Sequence, residues 1–209
     1  MKDRTHEYQE GVILGQGYST IAWIPEEQGS WALPLLHERI SSGESPIPKA
    51  AEQLKQVCKQ TKKPVLAVLD REYGNATWVL AQAEIKADSL MRLRRNACLW
   101  SAPPVYGGRG RPRKHGQKMQ LNDPETWADA DTLIEIDEHP QLGQVKVRQW
   151  KNLHFYRAAG HPFPPLWLAW VGARTLPLAT VWFKYLRRFG VDHWYRFAHR
   201  NDCIGRCLI

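Results

Sequence analysis

Asp70 closes VLAVLDREYG, a run of aliphatic residues that delivers one carboxylate and then turns. A carboxylate in that position has two plain uses. It caps the amides of the following turn, or it offers hard oxygen ligands to a divalent cation such as Mg2+. Ligands collect at the carboxyl ends of strands in open α/β sheets, so both uses stay open. A second set of chemically capable residues lies near the C-terminus. Tyr185, Arg188, Asp192 and His199 are spaced i, i+3, i+7 and i+14. On one continuous helix, at about 100° per residue, they share a stripe roughly 60° wide. That places a phenol, a cation, a carboxylate and an imidazole together. The same stripe is also what a wetted helix face with an ordinary Arg–Asp pair looks like.

The third set is electrostatic. The chain has 209 residues, 29 of them Lys or Arg and 21 Asp or Glu, for a net charge of +8. Between Ser89 and Asn122 there are eight cations and no acid: Arg92, Arg94, Arg95, Arg109, Arg111, Arg113, Lys114 and Lys118. Outside that segment the two signs balance. A concentrated excess of this kind is the footprint of a polyanion site. His115 has no Cys or His partner at metal spacing and reads as a phosphate contact or loop residue. Within the segment, GRGRPR is similar to a minor-groove hook, in which arginine enters narrow A·T-rich grooves.

These residues need elements to position them. GVILGQGYSTIAWIPE and WALPLLHERI read as strands joined by the QGS turn, a hairpin. KAAEQLKQVCKQTKK has Ala51, Leu54, Val57 and Cys58 at helical spacing, with the start near Ser45 or Pro46. VLAVLD is continuously apolar, which suits a central strand covered on both faces. A helix from the turn after Asp70 and a strand at DSLMRLRRN follow. Residues 102–122, rich in Pro, Gly and cations, read as an extended basic loop. DTLIEIDEHP, QVKVRQWKNLHFYRAAG and PLWLAWVGAR read as further strands. ATVWFKYLRRFGVDHWYRFAHR reads as a helix kinked at Gly190. The order of elements gives the α/β class.

Composition excludes several classes. Hydrophobic content of 43% and charged content of 24% argue against global disorder. No apolar run approaches the roughly 20 residues of a membrane span. MKDRTHEYQE has no signal-peptide core. The expectation is a cytoplasmic protein with no membrane partner. Cys58, Cys98, Cys203 and Cys207 are expected to be reduced thiols, since one C-x3-C pair makes no metal site.

Taken together, the motifs resemble an insertion-sequence transposase of the DDE type. VLAVLDREYG resembles that family's strand with its second acidic residue. SLMRLRRN, PPVYGGRGRPRKHG and LNDPETW resemble the strand and basic insertion that come next. YLRRFGVDHWYRFAHR resembles the helix with the third acidic residue, patterned Tyr-x2-Arg-x3-Glu-x6-Lys. Asp192 stands where that pattern has glutamate, and His199 where it has lysine.

The resemblance implies a ribonuclease-H-like mixed sheet flanked by helices, with a β-rich insertion before the last helix. It divides the chain into a partial core at 1–96, a basic loop and insertion at 97–176, and a terminal helix with its tail at 177–209. It implies Asp70 and Asp192 as catalytic metal ligands in a two-Mg2+ site. It implies Arg92, Arg94, Arg109, Arg111, Arg113, Lys114, Tyr185, Arg188 and His199 as DNA contacts. The DNA partners would be element ends and target, in a nucleoid-associated protein that pairs with a second copy or with intact transposase. The family's first aspartate precedes sequence similar to DRTHEY, so Asp3 is not that residue. The expectation is a chain lacking the first core strand, with RNDCIGRCLI as an interrupted end, and therefore inactive alone. A non-catalytic DNA-binding regulator is the alternative. An unrelated metal-dependent nuclease would need a further acid near Asp70, such as Glu72, Asp88 or Asp137.

Overall fold

The computed structural model describes residues 5–8, 11–14, 16–26, 31–139, 143–150, 155–160, 166–174 and 176–200. Asp3, Cys203, Cys207 and the stretch after Arg200 lie outside the described residues, as do the side chains of Asp137 and His199. The chain divides into two compact units. Unit 1 comprises Met1–Ala67, Ala76–Ala87 and Leu186–Ile209, and unit 2 comprises Val68–Asn75 and Asp88–Tyr185. These boundaries do not coincide with divisions at 96 and 176.

Unit 1 contains two hairpins. β1 (Thr5–Tyr8) pairs antiparallel with β2 (Gly11–Leu14), and β3 (Tyr18–Trp23) with β4 (Leu33–Arg39). The expected β3–β4 hairpin is present, but GVILGQGYSTIAWIPE is two strands rather than one. α1 (Pro46–Gln60) starts with Ser45 at its N-cap and proline in its first turn, where a missing N–H costs nothing. Its Ala50, Ala51 and Leu54 are buried, while Val57 and Cys58 are only half-buried. The polar member of the buried face, Gln53, is satisfied. Ser19 Oγ on β3 donates to Gln53 Oε1 at 2.6 Å, and Gln53 Nε2 donates to the Ser19 carbonyl at 3.3 Å. α2 (Ala76–Gln82) buries Trp78 at 1% exposure, its Nε1 donating to Gln82 Oε1 at 3.2 Å.

β5 (Val65–Leu69), β6 (Ala87–Arg92), β9 (Thr132–His139), β10 (Gly143–Trp150), β11 (Phe155–Gly160) and β12 (Leu166–Val171) form one six-stranded sheet, ordered β5-β6-β12-β11-β10-β9. From β6 to β9 every neighbouring pair is antiparallel. The strands assigned to an insertion are thus continuous with those assigned to the core. Leu90, Met91, Trp167, Leu168 and Trp170 are buried on β6 and β12. β7 (Cys98–Trp100) and β8 (Lys118–Gln120) form a separate ribbon.

Two expectations are corrected. Among the described residues β5 is an edge strand, half-buried throughout, and not a central one. Its apolar run is tolerated at an edge because it is only five residues long, with Pro64 before it and Asp70 after it. The C-terminal helix is two helices, α3 (Leu178–Leu186) and α4 (Phe189–Arg200), broken at Arg187–Arg188 and not at Gly190. The Arg187 guanidinium donates to the Ile24 carbonyl at 3.1 Å and to that of Glu26. Those two backbone acceptors hold the break.

Beside α1, Lys49 Nζ bonds Glu38 at 2.6 Å and reaches Glu44 at 3.5 Å. The Lys49 bond, then one from Gln53, lowers the Glu38 carboxyl below its ordinary range. The Ser41 amide lowers Glu44 similarly, and Glu38 raises Lys49. A depressed carboxyl stabilises the fold above its unfolded pKa, near 4.3, and that contribution is lost as pH falls through the folded value. Lys49→Met is therefore expected to lower the thermal midpoint at neutral pH. The gap to the parent should close on acidification below about pH 4, followed by circular dichroism.

Candidate functional site

Asp70 follows β5 directly and opens a tight turn. Its carbonyl accepts from the Tyr73 amide at 3.0 Å, and its Oδ1 accepts from the Arg71 amide at 2.7 Å. The turn closes with Asn75 Nδ2 donating to the Glu72 carbonyl at 2.7 Å. One carboxylate oxygen therefore does act as a cap. The group is half-buried, so it is neither locked in the core nor loose in solvent.

Two contacts dock this turn on the end of β6. Gly74 lies so close that a Cβ would run into the Arg92 carbonyl oxygen, a backbone atom that cannot swing aside. Glu72 Oε2 accepts from Arg94 Nη2 at 2.8 Å, and Arg71 Nε stands 3.5 Å from Glu72 Oε1. The pair is exposed and contributes little to stability, but it ties the turn to the residues after β6. Unit 2 thus docks the turn after Asp70 on the backbone of Arg92 and the side chain of Arg94. Gly74 was not singled out in the sequence, and Glu72 only as a candidate further acid near Asp70. No periodicity signals them, because their partners are about twenty residues away.

From Arg94 the chain turns into the β7–β8 ribbon, with Ala97 N–H donating to Arg94 O at 3.0 Å and Leu121 N–H to Ala97 O at 3.1 Å. The ribbon carries residues 102–115, every one of them exposed, including Arg109, Arg111, Arg113, Lys114 and His115. The His115 ring lies 5.3 Å from that of Trp100. Among the described residues none of the four cations makes an ion pair.

The C-terminal set is dispersed. Tyr185 sits on α3 in unit 2 and is buried at 1% exposure. Arg188 and Asp192 belong to unit 1, one in the break and the other in the first turn of α4. Arg188 Nη2 and Asp192 Oδ2 are 3.4 Å apart, a loose i,i+4 pair. Negative charge in a first turn also complements the helix dipole. The single stripe requires one continuous helix, and α3 and α4 are separate helices interrupted at Arg187–Arg188. α4 instead turns Tyr195 and Trp194 toward the hairpin: Thr20 Oγ1 bonds both His37 Nδ1, at 2.7 Å, and the Tyr195 hydroxyl, and Tyr18 stacks on His37 at 4.7 Å.

Of the further acids considered near Asp70, Asp88 has structural partners. Asp88, 5% exposed, accepts from the Ala173 amide at 3.0 Å and pairs with Arg174. Among the described residues no three His, Cys, Asp or Glu side chains cluster. Cys58 and Cys98 are free thiols, and burial pushes the Cys58 thiol up. No helix among them is long and apolar enough to cross a membrane. Gly74→Ala is expected to cost about 1–3 kcal/mol through overpacking. Urea unfolding should show the midpoint falling at an unchanged slope.

A family model described as DDE superfamily endonuclease matches residues 2–154. No curated protein and no solved structure matches the chain. Asp70, Arg92, Arg94 and the four loop cations fall inside the matched stretch, while Tyr185, Arg188, Asp192 and His199 lie beyond it. Enzymes of this family are transposase-type nucleases that act on DNA and generally use divalent metals. The match covers well over half of a mixed α/β chain whose apolar strand delivers Asp70 into a turn docked on the end of β6, and the chain belongs to the DDE superfamily endonuclease family.

Proposed function

We propose that the chain serves DNA transposition of the insertion-sequence type, on a ribonuclease-H-like catalytic core. The reactions are hydrolysis of a phosphodiester at an element end and joining of the freed 3′-hydroxyl to target DNA. The observation that carries this reading is the docked Asp70 turn, which lies within the family match and meets the Arg92 backbone through Gly74 and Arg94 through Glu72.

Asp70 and Asp192 are the proposed metal ligands. Their chemistry fits Mg2+, since both offer hard carboxylate oxygens. Asp70 is half-buried, and the Asp192 side chain is 41% exposed with only a loose arginine partner. When bound, divalent ions supply charge stabilisation for the attacking and leaving oxygens. The protein's own contribution is positional. The turn bonds hold the Asp70 carboxylate at a fixed orientation, and Arg188 pairs loosely with Asp192. Arg92, Arg94 and the loop cations hold the DNA backbone. Tyr185, buried here, serves by packing α3.

A second reading, DNA binding without chemistry as a regulator of intact transposase, is favoured by the loop. Its cations make no internal ion pairs among the described residues, so they can bind phosphates whatever the state of the carboxylates.

The deciding experiment combines three measurements on the parent and on Asp70→Asn and Asp192→Asn. Mn2+ binding, read by electron paramagnetic resonance, should weaken about tenfold or more in each variant. Cleavage and joining of element-end duplex in Mg2+ should fall by roughly a hundredfold or more. DNA affinity should fall steeply with salt in all three proteins. A parent that binds DNA with that salt dependence but neither holds Mn2+ nor cleaves would leave the regulator reading in place. Binding indifferent to salt would remove both.

A further inference from the structure

The basic loop is more organised than a charged linker. Its stem is the β7–β8 ribbon, with Cys98 opposite Gln120, Leu99 opposite Met119 and Trp100 opposite Lys118. Ser101 extends the ladder: its N–H donates to Gln117 O at 2.9 Å, its carbonyl accepts from Gly116 at 3.0 Å, and its Oγ accepts from the Gln117 amide at 2.8 Å. The base is anchored by Met119 and Leu121, 3% and 2% exposed, and by Trp127 Nε1 donating to Gln120 O at 2.9 Å.

The tip is shaped as well. Gly108 and Gly110 have φ of 80° and 76°, conformations that residues with a Cβ rarely adopt, and they bracket Arg109. The Tyr106 hydroxyl donates to Gly110 O at 2.7 Å and pins the bend. Beyond it, Pro112 forces Arg111 toward extended backbone. The product is a thin, Cβ-poor segment that bends at 108–111 and carries arginines at 109, 111 and 113.

Groove dimensions choose its partner. The major groove, about 12 Å wide, admits a helix or a two-stranded ribbon, and residues 102–115 form neither. The minor groove, about 6 Å wide, takes a single extended chain, and its A·T tracts concentrate negative potential that attracts arginine. In G·C pairs the guanine N2 amine blocks the floor. A planar, weakly hydrated guanidinium suits that slot better than an ammonium.

We propose that residues 107–114 form a finger that enters the minor groove of A·T-rich duplex DNA. Arg109 and Arg111 lie on the groove floor, and Arg113 and Lys114 lie on the bordering phosphates. This deepens the DNA-binding reading above and rests on it.

The test uses the full chain and fluorescence anisotropy on three duplexes of equal length, alternating A·T, G·C and inosine·C, over a salt series. Inosine removes only the N2 amine, so it gives a G·C-like major groove and an A·T-like minor groove. The A·T and inosine duplexes should both bind at least about tenfold tighter than G·C. The paired change Arg109→Lys with Arg111→Lys keeps the charge. It should keep the salt dependence while the preference collapses toward unity. The paired Ala change should lose the preference and lower the salt slope by about two. Equal, salt-sensitive binding to all three duplexes overturns the finger and leaves the DNA reading standing, as does an inosine duplex that behaves like G·C. Tighter binding to duplex RNA overturns it too. Absence of binding to any duplex removes both readings. The inosine comparison uses unaltered protein, so folding of a variant cannot confuse it.

Discussion

The approach of Gly74 to the Arg92 carbonyl fixes the orientation of Asp70 within unit 2. A strand ending in aspartate does not by itself present a carboxylate in a useful direction, because the next turn can leave the sheet by many routes. Here the turn is pressed against the end of β6 at a distance that no side chain permits, and Glu72 reaches Arg94 across the same junction. The constraint is steric first and electrostatic second. The ion pair is exposed and weak, whereas backbone-on-backbone contact cannot be relieved by a rotamer. The residues after the same junction lead into the ribbon that carries the loop cations.

What was legible in the sequence follows this division. Local patterns survived: the 3.6-residue spacing of α1, the β3–β4 hairpin around its turn, and the strands from β9 to β12. The charge excess of the loop could be read by counting, and residues 102–115 are indeed exposed. Asp70 at a strand end was legible because an apolar run followed by Asp-Arg-Glu-Tyr-Gly has few other readings.

What was illegible depended on distant partners. VLAVLD reads as central because its residues are apolar, but apolarity says nothing about which side of a strand has a neighbour. Its brevity and the proline before it were the clues that it stands at an edge. The helical stripe from Tyr185 to His199 failed for a similar reason. Helical phase is preserved only while the helix is unbroken, and the break at Arg187 is set by carbonyls of Ile24 and Glu26 far back in the chain. Asp88 was considered as a further acid near Asp70, and its burial is made tolerable by the Ala173 amide and Arg174.

Pairing sorts the cations into two kinds, and that sorting separates architecture from recognition. Lys49 holds Glu38, Arg94 holds Glu72, Arg174 holds Asp88, Arg187 holds two carbonyls and Arg188 holds Asp192. Apart from the i,i+4 pair of Arg188 with Asp192, each holds one segment of the chain against another. The loop is different because residues 89–122 contain no acid to compete. Its arginines remain exposed and unneutralised on a stem whose base is buried. Concentrating like charge costs self-repulsion in a folded protein, and a polyanion removes it on binding. The lack of ion pairs on the loop cations among the described residues therefore favours the proposed role in binding DNA, whereas Arg94 is engaged by Glu72.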